Sequence, residues 1–196
     1  MLQIADVPRG LRTLDALVKE APVEVLAAGT VQPGHYLIVF GGQVEAVVLS
    51  FERASSTAGD LVLDSVLLAD AEPRLVPAFR DGVVRPTWQG DTLGVVQSSS
   101  CPVLLAAVDA ALKGAQVDLV ELRVADGLGG RSLATVWGAV HDVEAAIELA
   151  CSVITREEGK GRLARGAATT SIIPNADADV QRAVSLGTRF SREWRG

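Results

Sequence analysis

The sequence predicts an α+β fold present twice in one chain, each copy an antiparallel-rich sheet with helices packed on it. Three observations lead there. Residues 15–25 read DALVKEAPVEV and residues 109–119 read DAALKGAQVDL, so Asp15 and Lys19 fall on Asp109 and Lys113 at a shift of 94. Gly42, Val44 and Val47 fall on Gly138, Val140 and Val143 at a shift of 96. The two extra residues lie where Gln32-Pro33-Gly34 faces Asp126-Gly127-Leu128-Gly129-Gly130, and an insertion confined to a Gly-rich stretch is what loops tolerate and packed elements do not. A period this long is too great for a solenoid repeat and marks a duplicated domain. A chain of 196 residues divides into two halves that can each bury a core without metal or disulfide support.

Each element follows from its pattern. Leu11, Leu14, Leu17 and Val18 recur at helical spacing, as do Leu104, Leu105, Val108, Ala111 and Leu112, which predicts the first helix of each half. Residues 23–28 and 35–40 are rich in branched side chains and flank Pro33-Gly34, which predicts a hairpin; residues 117–124 and 131–137 repeat it. A second helix follows, with Val44, Val47, Val48 and Phe51 on one face and Val140, Val143 and Ile147 on the corresponding face. A last strand closes each half, at 61–68 and at 169–173. The predicted organisation is a first domain at 1–80, a linker at 81–92 and a second domain at 93–196 that ends in a C-terminal extension, with the elements in non-permuted order.

Composition removes several functions. A net charge of -6 and a pI near 4.9 argue against a nucleic-acid partner, which requires a clustered basic face. There is no apolar run long enough to span a membrane, and Met1-Leu2-Gln3-Ile4-Ala5-Asp6 meets an acid before a signal-peptide core could form. Cys101 and Cys151 have neither CxxC nor metal-ligand spacing, so a reduced compartment is the simplest reading: a soluble, cytoplasmic protein.

The ordered set of motifs resembles the bacterial microcompartment (BMC) shell domain in its tandem form. Leu93-Gly94-Val95-Val96 is similar to the family's opening strand, Val108-Asp109-Ala110-Ala111-Leu112-Lys113 to its first helix, and Val136-Trp137-Gly138-Ala139-Val140 to its strand-to-helix joint. The first half matches through Leu14 to Lys19 and Phe40 to Val47, with a shorter opening strand. Pro73-Arg74 resembles a motif after the last strand, and the second half departs from it with Pro174-Asn175.

The resemblance implies a homotrimer with a pseudohexagonal outline that tiles a shell facet beside hexamers and pentamers of other shell proteins, in the cytoplasm. It further implies a central pore for small metabolites, lined by Gln32, Pro33 and Gly34 alternating with Asp126, Gly127, Leu128, Gly129 and Gly130. Lys19, Lys113 and Arg74 become the tile-edge contacts, with Arg74 in reserve near Lys19. One variant of the family carries a metal cluster on cysteines near the pore loop. Neither loop here contains a cysteine, and no cofactor or metal is expected.

Rival chemistry is weaker. Ser98-Ser99-Ser100-Cys101-Pro102 could place a thiol at a helix N-terminus, but Ser as cap, Pro in the first turn and Cys as a small filler explain it more simply. Gly127-Leu128-Gly129-Gly130 precedes a strand, whereas a phosphate cradle needs a helix to follow. His35 beside the loop and His141 at a helix start read as structural. No enzyme is expected, and the alternative function is a soluble trimeric ligand-binding or regulatory protein on a similar α+β domain.

Overall fold

A computed structural model describes residues 1–82, 84, 86–124, 127–157 and 168–189. The first domain runs β1 (Leu2–Ile4), α1 (Val7–Glu20), β2 (Glu24–Val31), β3 (His35–Gly41), α2 (Val44–Ala58), a single 3-10 turn, β4 (Val62–Ser65) and α3 (Leu75–Asp81). The second repeats the order as β5 (Thr92–Ser98), α4 (Cys101–Gly114), β6 (Asp118–Val124), β7 (Ser132–Gly138), α5 (Val140–Glu157), β8 (Thr169–Ile173) and α6 (Ala178–Ser185). The sheets are ordered β2-β3-β1-β4 and β6-β7-β5-β8, with every pair antiparallel.

Local chemistry sets the helix starts. Oδ1 of Asp6 accepts from the Arg9 amide (2.8 Å) and Oγ of Ser100 from the Val103 amide (3.4 Å), each with Pro in the first turn, where its missing N–H is harmless. Lys19 and Lys113 stand in the last turns, where a cation suits the helix dipole. On the first sheet, α1 and α2 cover Leu2, Ile4, Tyr36, Ile38 and Phe40, and Oγ of Ser50 donates to the Leu17 carbonyl (3.1 Å) to tie the two helices together. The largest core joins α4 and α5 to the second sheet and continues into the first domain through Met1, Leu37, Val39 and Leu75.

Strand register corrects one expectation, and the bounds of the elements correct others. Leu2 pairs with Ser65, and Val96, its counterpart at a shift of 94, pairs with Thr170, so β4 and β8 correspond at a shift of 105. Pro174-Asn175 therefore answers to Ala69-Asp70 and not to Pro73-Arg74, because Ala69–Glu72 intervene in the first half. At the same shift Leu75 and Phe79 of α3 match Val180 and Val184 of α6. These two short helices were absent from the expected elements, and the strand expected over 61–68 is confined to Val62–Ser65. The segment read as a linker is anchored: the Val84 amide donates to the Val120 carbonyl (2.7 Å) and the Leu122 amide to the Gly82 carbonyl (3.0 Å), extending the backbone ladder along β6.

Helix α1 lies unusually close to its sheet at Gly10, where an added Cβ would stand 2.3 Å from Cβ of Tyr36. Gly10→Ala gains about 1 kcal/mol of helix propensity, yet it must displace the strand or the helix to avoid that overlap, and overpacking of this kind costs about 1–3 kcal/mol. The expected outcome is net destabilisation, read as a lower Tm by circular dichroism.

Candidate functional site

The two β-hairpin loops meet. The Gly129 amide lies 3.4 Å from Oε1 of Gln32, and a Cβ at Gly130 would stand 3.1 Å from Cδ of Pro33 and 3.2 Å from the Gln32 carbonyl oxygen. Gly130 also has φ +87°, so this close approach combines a left-handed backbone with no room for a side chain. Gln32, Pro33, Gly34, Gly127 and Gly129 are exposed, and Leu128 is half-buried. Asp126, named with them from the sequence, lies outside the described residues.

Behind the loops, a buried amide bridges the domains. Oε1 of Gln3 accepts from the Cys101 amide (3.3 Å), which turns Nε2 of Gln3 toward Nδ1 of His35 at 3.1 Å. An amide nitrogen only donates, so Nδ1 must accept and the ring proton sits on Nε2. Burial lowers the His35 pKa. Oγ of Ser100 donates to the buried Asp64 carboxylate, and Oγ of Ser132 to Sγ of Cys101 (3.0 Å). Burial pushes the Cys101 thiol up to about 11, so at neutral pH it is a protonated filler and a poor nucleophile.

The three expected edge residues separate. Nζ of Lys113 donates to the Asp70 carbonyl and to Oδ2 of Asp109 (2.9 Å), while Oδ1 of Asp109 accepts from the Glu72 amide (2.7 Å). The Arg74 guanidinium binds Oε1 of Glu72 through Nε and the Val117 and Leu112 carbonyls through Nη1 and Nη2, each at 2.8 Å. It thus satisfies a carbonyl at the end of α4, where helix carbonyls lack partners. The Arg74 hydrogen bond holds the Glu72 carboxyl below its usual range, and the Asp109 hydrogen bond raises the Lys113 ammonium. Arg74 therefore serves Lys113's side of the molecule, not that of Lys19 as the sequence suggested. Among the described residues, Lys19 pairs locally, with Asp15 at 2.7 Å, on an exposed surface.

Among the described residues, no group of three His, Cys, Asp or Glu could hold a metal ion, and no helix is long and apolar enough to cross a membrane. Sequence reasoning passed over Gln3, Asp64 and Glu72. One signal was present: Gln3 and Asp6 fall on Gln97 and Ser100 at the same shift of 94.

The duplicated helices differ in what covers them. Leu105 and Leu112 of α4 are 7% and 3% exposed where that helix meets the first domain, whereas their counterparts Leu11 and Val18 of α1 are 52% and 45% exposed. On the opposite side, Ile173, Pro174 and Asn175 are exposed, while Leu68, the counterpart of Ile173, packs into the large core. Each end of the chain thus displays one half of the joint that its middle has already made.

Comparison with known proteins follows this geometry. The BMC domain model matches twice, at residues 1–70 and 92–175. The chain is 31% identical over 150 residues to the bacterial microcompartment shell protein PduT of Citrobacter freundii, covering 76% of this chain and 80% of that one. A microcompartments protein from Desulfitobacterium hafniense DCB superposes with a TM-score of 0.77 at 29% identity, covering 92% of this chain and 96% of that one. A fused permuted hexameric shell protein from the RMM microcompartment gives a TM-score of 0.58 at 21% identity over 80% of this chain and 83% of that one, a likeness of fold.

The His35 geometry has a pH consequence. Its folded pKa lies below the ordinary value, so the unfolded chain takes up a proton first as pH falls. Stability present above the ordinary histidine pKa is therefore lost as pH drops from there through the folded value. Tm should decline over that window, and His35→Gln, whose Oε1 can still accept from Gln3, should flatten the decline. Tm measured against pH for both proteins checks it.

Proposed function

The chain belongs to the BMC-domain family, and from that premise we propose that it is a structural shell protein of a bacterial microcompartment in the cytoplasm, acting as a homotrimer. Three chains carry six similar domains around a central axis, an outline that tiles a facet together with hexamers and pentamers of other shell proteins. Closed cyclic symmetry is the common state of homo-oligomers. The observation that carries the reading is the half-joint at each end. Leu11 and Val18 are exposed where Leu105 and Leu112 are buried, and the 171–186 side of the next copy is the natural cover, as residues 66–81 cover α4 within the chain.

The same symmetry pairs Lys19 of one copy with the position of Asn175 in the next, as Lys113 pairs with Asp70. The meeting loops, Gln32 to Gly34 and Gly127 to Gly130, line the central opening in this proposal. Their glycines let backbone approach the axis, so the passage is shaped by main-chain dipoles and suits small polar metabolites. Lys19, Lys113 and Arg74 lie toward the rim, and the role proposed for them is contact between neighbouring tiles.

Burial of a Leu or Val side chain contributes about 1.5–3 kcal/mol, and each interface would bury two such residues. Leu11→Asp with Val18→Asp should leave each chain folded, by circular dichroism, and convert trimers to monomers in sedimentation at micromolar concentration. A wild-type protein that is only monomeric or dimeric under those conditions would overturn the trimer.

Lys19→Ala with Lys113→Ala should preserve folding and sharply reduce extended sheets in electron micrographs. Lys113→Ala alone should be the more damaging single change, because it also removes the bond to the Asp70 carbonyl inside the chain. Wild-type trimers that neither form sheets nor co-assemble with hexamers would support a soluble ligand-binding or regulatory protein instead.

A further inference from the structure

The second domain carries a small apolar cluster on the sheet face away from α4 and α5. Leu93, Val95, Val120, Val180 and Val184 surround Trp137, whose ring meets that of Trp88 edge-on at 5.1 Å and 80°. Strand register identifies the first-domain counterparts. Gly41 pairs with Glu24 as Trp137 pairs with Asp118, and the ladder is irregular at Leu26 as it is at Val120. At the shifts already established, Met1 matches Val95, Leu75 matches Val180 and Phe79 matches Val184.

All five of these counterparts, Met1, Leu26, Gly41, Leu75 and Phe79, line a cavity of about 230 Å³ in the first domain. Every other side chain around it is apolar as well, and Val44 and Leu67 are exposed at its lip. The cavity occupies the place of the Trp137 indole, which Gly41 leaves empty. Its walls do not close in to compensate: a Cβ on Gly41 would meet Cδ1 of Leu26 at an ordinary 3.7 Å and nothing nearer. Trp88 comes from the segment between the domains and likewise has no counterpart in this lining.

We propose that this cavity is a binding site for a small, flat aromatic molecule of about the size of indole. An apolar cavity of ~150 Å³ lined by aliphatic and aromatic side chains stays dry and accepts benzene, so a larger one with the same lining has room for a fused ring. The molecule itself supplies the template, since the homologous position holds an indole against Val95, Val120, Val180 and Val184, the counterparts of Met1, Leu26, Leu75 and Phe79, with its N–H donating to the Gly90 carbonyl (3.2 Å). The lining gives the ring apolar contact, and the N–H of an indole guest is to face the open lip beside Val44 and Leu67, where water can accept from it. The site lies within one chain, with Leu105 of the second domain completing its lining, and does not rest on trimer formation.

The test is a calorimetric titration of the full chain with indole, paired with methyl NMR. Saturable binding is expected, with shifts at the Leu26 and Leu75 methyl groups and none at Val184. Gly41→Trp should fill the cavity, raise Tm and abolish the binding; Gly41→Leu serves as a milder filling should the tryptophan variant fail to fold. The proposal is overturned if no saturable binding occurs up to the solubility limit of indole, or if binding persists unchanged in the folded filled variant. It is equally overturned if indole binds only after residues 190–196 are removed, which would make the chain's own end the occupant.

Discussion

The face of α4 that carries Leu105 and Leu112 is the constraint on which the rest of the molecule depends. An amphipathic helix buries one stripe on its own sheet, but α4 is buried nearly all round, and its second face can be covered only by the other domain. That contact fixes how the two domains stand. Once they stand so, the hairpin loops must meet at Gly130 and Pro33, and Gly82 and Val84 must bond to β6. Apolar burial supplies most of the attraction, being proportional to area and indifferent to direction. Direction comes from the polar groups at its margin, above all the Arg74 guanidinium divided between Glu72 and two backbone carbonyls, a planar fork that tolerates few geometries.

Duplication without identity has let equivalent positions take different work. Gly10 allows α1 to sit against Tyr36, whereas Leu104 at the matching place fills the interior of the second domain. Leu11 and Val18 stay uncovered where Leu105 and Leu112 do not. Gly41 leaves a cavity where Trp137 closes one. None of these differences alters the strand order, since each lies on a face of an element and leaves its backbone pairing untouched. A sheet is defined by its ladder; the surfaces on either side of the ladder are free to diverge.

The polar interior is organised by the same joint. Gln3, Asp64, Ser100, Cys101 and Ser132 come from both domains: Ser100 to Asp64 and the Cys101 amide to Gln3 cross the boundary, while Gln3 to His35 and Ser132 to Cys101 join elements of one domain. Burying such groups is tolerable only when they are satisfied. The cluster consequently makes one arrangement of the domains preferable to a slid or rotated one. It also explains why a cysteine preceded by three serines at a helix start is inert: the thiol faces a packed boundary, not a cleft.

The sequence by itself determined the architecture to a useful depth. Two copies, their helices, both hairpins and the last strand at Thr169–Ile173 follow from periodicity and turn chemistry, because those signals are local and each half repeats them. The pairing of Lys19 with Asp15 and of Lys113 with Asp109 was passed over in the sequence, although each pair stands four residues apart on one helix. The helices α3 and α6 were not legible, being only seven and eight residues long, too short for a period to declare itself. The sequence also set Arg74 beside the wrong lysine, because Pro73-Arg74 stands in the same half of the chain as Lys19. Only the tertiary structure decided that one lysine reaches a carbonyl of the other domain while its twin stays on open surface, and that Arg74 stands with the first and not the second. Local pattern tells which face of a helix is apolar; what covers that face is settled by segments tens of residues away, brought there by the packing of the whole chain.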